Sequence, residues 1–225
     1  MITYDQFLKE GVYDPNIFKA VFMAGGPGSG KSFIAGKTTG GLGLKIINSD
    51  NAFERILKKE GLSLKMPGPE NIEKDWNVPR ARAKKVTEKK KFHAVKGRLG
   101  IIIDGTGHKY DKVAGQSAML EQLGYETSMV FVNTSLEVAL HRNEQRARSV
   151  QPNIVKKSWQ DVQNNMGKFQ NYFGAANFFI VDNNGFEEDM LEISTKHIRR
   201  AISKPVKNVI AKAWIANEMK KKRRT

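Results

Sequence analysis

Apolar runs bounded by turn residues mark five strands along the chain, at 18–24, 44–48, 99–104, 128–133 and 177–182. Between them the apolar spacing becomes helical, over about 31–38, 51–60, 80–96, 111–123, 135–148 and 154–173. Two further helices, 187–203 and 206–222, follow the last strand. In the second of these Val206, Val209, Ile210, Ala213 and Trp214 share one face, and Pro205 suits its first turn. Strands alternating with helices predict an α/β fold, a parallel five-stranded sheet with helices on both faces. The stretch 61–79 holds Pro67, Pro69 and Pro79 and has little periodicity, so it reads as a loop. Together with helix 80–96 it makes a long insertion, 61–98, between the second and third strands. No internal repeat is visible.

At 225 residues the chain predicts one main domain over 1–203, with a closing helix and basic tail over 204–225. With 40% hydrophobic residues it is ordinary enough to exclude wholesale disorder. The absence of cysteine excludes disulfides, iron–sulfur clusters and cysteine nucleophiles. A structural zinc site is disfavoured too, since no two of His93, His108, His141 and His197 have ligand spacing. The apolar runs are far shorter than the ~18 residues of a membrane span. No signal peptide is apparent, because Asp5, Lys9 and Glu10 interrupt the opening segment. These features predict an intracellular, cytoplasmic protein without a membrane partner.

Charge changes the picture. There are 38 basic and 23 acidic residues, a net charge of +15. The segments 80–98, 141–157 and 217–225 carry nine, five and five Lys/Arg against one acid each, so together they hold +16. Charge focused in this way suits a polyanion partner, nucleic acid foremost, although solvated helix faces and a frayed tail would look the same.

Residues 25–32 read Gly25-Gly26-Pro27-Gly28-Ser29-Gly30-Lys31-Ser32, a phosphate-binding P-loop between an apolar strand and a helix. Glycines let successive N–H groups turn toward phosphate oxygens, and the helix N-terminus adds a favourable dipole. Lys31 is suited to the β- and γ-phosphates of a nucleoside triphosphate, and the Ser32 hydroxyl to Mg²⁺. Asp104 ends the third strand, where such folds carry a second carboxylate near the metal. A turn-forming role is its plain alternative. Gly105 follows it, where motor ATPases place a glutamate, and no Asn-Lys-x-Asp motif is present, so neither a motor nor a GTPase is indicated. Asp50 lies at the carboxyl edge of the sheet, placed either to accept a proton from an attacking hydroxyl or to cap a helix. Arg142 and Arg146 are i, i+4 neighbours, with Arg148 just beyond. They suit a clamp on a transferring phosphoryl group or, equally, a solvated basic helix end.

The P-loop, Asn48-Ser49-Asp50, Asp104-Gly105-Thr106 and Arg142-Asn143-x-x-Arg146 occur in this order. This set resembles P-loop kinases of the polynucleotide kinase and zeta-toxin type, over about residues 18–182. The run 142–146 followed by Val150, Pro152, Val155, Lys168 and Tyr172 is similar to the lid of the bacteriophage polynucleotide kinase. The resemblance implies a sheet with the first strand central, ATP with Mg²⁺, and phosphoryl transfer to a hydroxyl. By position it implies Lys31 and Ser32 on phosphate and metal, Asp50 as general base, Asp104 as an acidic residue at the acceptor and phosphate site, and Arg146 with Arg142 as lid arginines within 141–173. There are departures. Phe53 stands three residues after the base, where polynucleotide kinases commonly have arginine, and the insertion 61–98 has no counterpart. Ile102 stands where a phosphatase motif would need its first aspartate, so a 3′-phosphatase is not expected.

The acceptors implied are a 5′-hydroxyl or a hydroxymethylated base on a polynucleotide, or a small nucleotide or nucleotide-sugar as in zeta toxins. A phage-encoded enzyme acting in a host cytoplasm is one setting the lid suggests. The alternative of another class is a nucleic-acid-binding protein with a vestigial ATP site.

Overall fold

The computed structural model describes residues 11–38, 42–185 and 187–222. The opening segment, two glycines of the turn before the second strand (Gly40 and Gly41), and the end of the basic tail lie outside the described residues. Five parallel strands form one sheet: β1 (Lys19–Ala24), β2 (Lys45–Ile47), β3 (Ile101–Asp104), β4 (Glu126–Asn133) and β5 (Phe178–Asp182), in the order β2-β3-β1-β4-β5. β1 is central, and every one of its residues is buried. Its side chains alternate between two cores, as the period of two in a strand requires. Phe22 and Ala24 join Phe131, Leu120 and Phe169 on one face. Val21 and Met23 join Val130, Ile34 and Ile198 on the other.

The helices are α1 (Lys31–Thr38), α2 (Asp50–Lys59), α3 (Val78–Lys96), α4 (Tyr110–Gln122), α5 (Leu136–Gln145), α6 (Pro152–Phe173), α7 (Glu187–Ile202) and α8 (Val209–Lys222). α1 and α7 cover one face of the sheet, while α4, α6 and α8 contribute to the core on the other. The insertion builds a small core of its own. Phe53 and Leu57 of α2 pack with Trp76 and Ala83, and Trp76 meets the Phe53 ring edge-on at 4.9 Å. That core holds α3 beside the sheet.

Three expectations are corrected. The loop 61–79 ends in a wide helical turn, Glu73–Asn77, that leads directly into α3. Buried Trp76 anchors the turn, and Pro79 sits in the first turn of the helix, where its missing N–H costs nothing. The helix expected over 135–148 stops at Gln145, because Arg146 turns extended at φ −77°, ψ 142°. The last helix starts at Val209, where the Asn208 side chain accepts from Ile210 N at 2.9 Å. Its core-facing side is Ala211, with Trp214 and Ile215 partly buried beside it, while Val209 and Ile210 are exposed. Among the described residues no helix is long and apolar enough to cross a membrane.

Candidate active site

The carboxyl ends of β1, β2 and β3 open into one cleft of about 710 Å³, as expected where strand order reverses in an open parallel sheet. The P-loop forms its floor. Gly28 and Gly30 have φ of +80° and +85°, conformations that side chains rarely adopt. A Cβ on Gly28 would stand 2.3 Å from the Ala139 carbonyl oxygen, so the loop runs against α5 with no room to spare. Asn183, just after β5, fastens the loop from behind by donating from Nδ2 to the Ser29 carbonyl at 2.7 Å.

Lys31 opens α1 and is almost fully buried. Its Nζ donates to the Gly26 carbonyl at 2.8 Å and to Ser29 Oγ at 3.1 Å. Burial pulls its pKa down to about 8, against the opposing pull of Asp104 and Asp50. Ser32 Oγ donates to Asp104 Oδ2 at 2.8 Å. Asn48 Nδ2 donates to the same carboxylate oxygen, and its Oδ1 accepts from the Asp50 N–H at 2.6 Å. Asn48 therefore joins the Ser32–Asp104 pair to the start of α2, a linking role that its sequence position alone did not single out. Burial raises the pKa of Asp104, and neighbouring Asp50 adds to this, against Lys31 and the hydrogen bonds from Ser32 and Asn48.

Asp50 does not cap α2. Ser49 makes no capping bond through its side chain either. The Asp50 carboxylate faces the cleft between two guanidinium groups, Arg80 Nη1 on Oδ1 and Arg148 Nη2 on Oδ2, each at 2.8 Å. Burial would raise its pKa, but Arg148 and Arg80, with Lys31 behind them, outweigh burial and hold it below the usual carboxylate range. Arg148 also donates from Nε to Glu54 Oε1 at 2.9 Å.

The arginines expected to act together are separated. Arg146 lies beyond the end of α5 and lines the cleft. Its pKa is lowered by burial, then by Arg148. Arg142 points the other way and donates to the Asn183 carbonyl at 2.9 Å. It is not part of the cleft lining and serves to tie α5 to the end of β5. The loop 146–150 is pinned by Asn143, which is buried and exchanges hydrogen bonds with Val150, donating at 2.9 Å and accepting at 3.2 Å. Within the stretch expected as a lid, Val162, Phe169 and Phe173 of α6 sit in the main core. The cleft is reached by the loop and by Ile154 and Ser158 near the start of α6. Trp159 closes over the P-loop, its ring atom 3.3 Å from where a Cβ on Gly26 would lie.

The wall facing the P-loop is the basic insertion helix. Arg80, Lys84, Thr87, Glu88 and Lys91 recur at helical spacing along α3 and all line the cleft. Lys109 and Lys112 come from the start of α4. The lining has eight Lys/Arg against three carboxylates, a net charge of +5. The third basic segment lies elsewhere. α8 packs on Phe18 and Gly124, at the amino edge of the sheet, and its end stays there, with Lys222 Nζ 4.3 Å from the Tyr13 ring centroid, so 217–222 lies away from the P-loop.

These features define a P-loop protein with a kinase-like α/β fold. A family model described as AAA domain matches residues 21–169, and the chain belongs to that family. The fold is similar to that of a gluconokinase from Sinorhizobium meliloti 1021, with a TM-score of 0.52 at 15% identity over 83% of this chain and 95% of that one. It is similar to a deoxyadenosine kinase from M. mycoides with bound dATP, with a TM-score of 0.50 at 18% identity over 80% of this chain and 99% of that one. A chain in the structure of the Pnkp1/Rnl/Hen1 RNA repair complex gives a TM-score of 0.51 at 18% identity, over 67% of this chain and 46% of that one. No curated protein matches the sequence.

Proposed function

We propose that the protein is an ATP-dependent kinase that transfers the γ-phosphate to a hydroxyl on a polynucleotide. The observation that carries this reading is the placement, in one cleft, of Lys31, the Ser32–Asp104 pair and Asp50 opposite a wall of cations from α3. MgATP brings about two negative charges, and a lining of +5 leaves roughly three to be met by the acceptor. An acceptor bearing several phosphates meets that need, and backbone phosphates reward such a wall.

Lys31, once drawn off Gly26 and Ser29, neutralises the phosphate oxygens of ATP. The site suits magnesium, which takes one or two carboxylates and completes its shell with water and phosphate oxygens. Ser32 and Asp104 would hold the ion, which when bound supplies charge neutralisation across the phosphates. Asp50 accepts the proton of the attacking hydroxyl. Arg146, unpaired by Asp50 and facing the same space, stabilises charge on the transferring group. The loop 146–150, already seated at the cleft, shields the nucleotide side from water.

The test offers label from the γ-phosphate of ATP to 5′-hydroxyl DNA, 5′-hydroxyl RNA, nucleosides and UDP-sugars in parallel. Label is expected on an oligonucleotide. Label confined to a small molecule would move the acceptor to the nucleotide or nucleotide-sugar class. Oligonucleotide binding should also weaken steeply between low and moderate salt.

A further inference from the structure

Both oxygens of Asp50 carry a guanidinium group. A carboxylate held in this way is a poor proton acceptor, toward water as much as toward an alcohol. Each oxygen keeps a further lone pair, but the two guanidinium groups crowd the approach, and withdrawal of one of them opens the carboxylate to a hydroxyl and restores it as a proton acceptor. Arg148 is tied down, with its side chain only 9% exposed and a second carboxylate, Glu54, on its Nε. Arg80 is 31% exposed and rests with its guanidinium 4.9 Å from the Phe53 ring centroid. It belongs to the same cleft-lining stripe of α3 as Lys84 and Lys91.

We propose that Arg80 is a positioning residue that gates the base: an acceptor phosphate draws its guanidinium off Asp50 and frees one carboxylate oxygen for the hydroxyl of the same acceptor. This rests on the kinase reading above and narrows the acceptor. The phosphate and the hydroxyl must belong to one acceptor and lie close enough for the phosphate to hold Arg80 while the hydroxyl meets Asp50. A phosphate-free alcohol leaves the gate shut. So does an empty acceptor side, which protects ATP from water. In the hydrolysis that the gate suppresses, water oxygen would bond to the γ-phosphorus, the bond to the β–γ bridging oxygen would break, ADP would leave, and the proton would pass to Asp50.

Arg80→Gln and Arg80→Lys in the full chain test this, with MgATP alone and then with a 5′-hydroxyl dinucleotide or the corresponding nucleoside. Arg80→Gln is expected to raise acceptor-free hydrolysis about tenfold, to raise the dinucleotide KM by a similar factor, and to raise kcat for the phosphate-free nucleoside, whose transfer the wild-type gate holds back. Arg80→Lys should recover most of the dinucleotide KM. Hydrolysis and dinucleotide KM equal to wild type in a folded Arg80→Gln protein would overturn the gate and leave the kinase reading standing. A wild-type protein that labels no acceptor, while Arg80→Gln still hydrolyses ATP faster, would overturn the kinase reading and support the gate.

Discussion

Asp50→Asn separates chemistry from architecture at the centre of the site. The substitution keeps the shape and one acceptor oxygen but removes the charge between Arg80 and Arg148. Breaking a fully buried pair costs about 3–5 kcal/mol, and an exposed pair about 0–1 kcal/mol. The Asp50 side chain is 30% exposed, and Arg148 keeps Glu54, so the loss here is expected near the lower range, about 1 kcal/mol. For a chain of this size that lowers Tm by roughly 2–4 °C. Loss of a general base lowers kcat by about 10² to 10⁴, or roughly 3–5 kcal/mol on the barrier. Destabilisation of ~1 kcal/mol leaves a domain of ordinary stability almost wholly folded, so it does not account for such a loss. ATP affinity should not fall, because the charge removed is negative and opposes phosphate near Lys31. The assay is transfer of γ-phosphate at saturating acceptor, with calorimetric ATP titration and thermal unfolding on the same preparations. A kcat within about threefold of wild type would refute the base assignment.

Lys31 sets the pH dependence of nucleotide binding. Burial holds it at about 8 in the ligand-free protein, and phosphate favours its charged form. ATP affinity should therefore be full below pH 8 and weaken above it, by up to about tenfold per pH unit, in calorimetric titrations from pH 7 to 9.5. A flat profile would remove Lys31 from the phosphates. Gly28→Ala should abolish ATP binding and lower Tm, since its Cβ meets the Ala139 carbonyl at 2.3 Å in a φ +80° conformation. Wild-type ATP affinity in that variant would contradict the tight loop. Phe53→Ala empties the small core under α3, at roughly 3–5 kcal/mol. It should raise the acceptor KM more than the ATP KM, and equal rises would mean that α3 does not serve the acceptor.

The two chemistries of the site were unequally legible. The P-loop is local: eight consecutive residues make strand end, turn and helix start together, so Lys31 and Ser32 could be placed without any knowledge of the rest. Asp50 and Asp104 were legible as strand-end carboxylates, because a parallel sheet brings such ends to one edge. The arginines were not. Periodicity put Arg142 and Arg146 on one helix face, but the helix ends at Gln145, and the reason is tertiary: Asn143 is buried and spends its side chain on Val150, which pulls the chain out of the helix. Arg80 and Arg148 stand 30 and 98 residues from Asp50 in sequence and meet it only through packing.

The amino-acid sequence by itself determined the strand–helix alternation, the phosphate cradle and the excess of positive charge, because each depends on neighbours along the chain. Tertiary structure alone decided which charges face the cleft and which face solvent. Lys84 and Lys91 turn inward because Phe53, Leu57, Trp76 and Ala83 lock one face of α3 against α2. α3 is charged nearly all round, so no periodicity in it could announce that face. Its orientation is set by a hydrophobic contact, Ala83 on Phe53 and Leu57, whose other half lies 30 and 26 residues earlier in the chain.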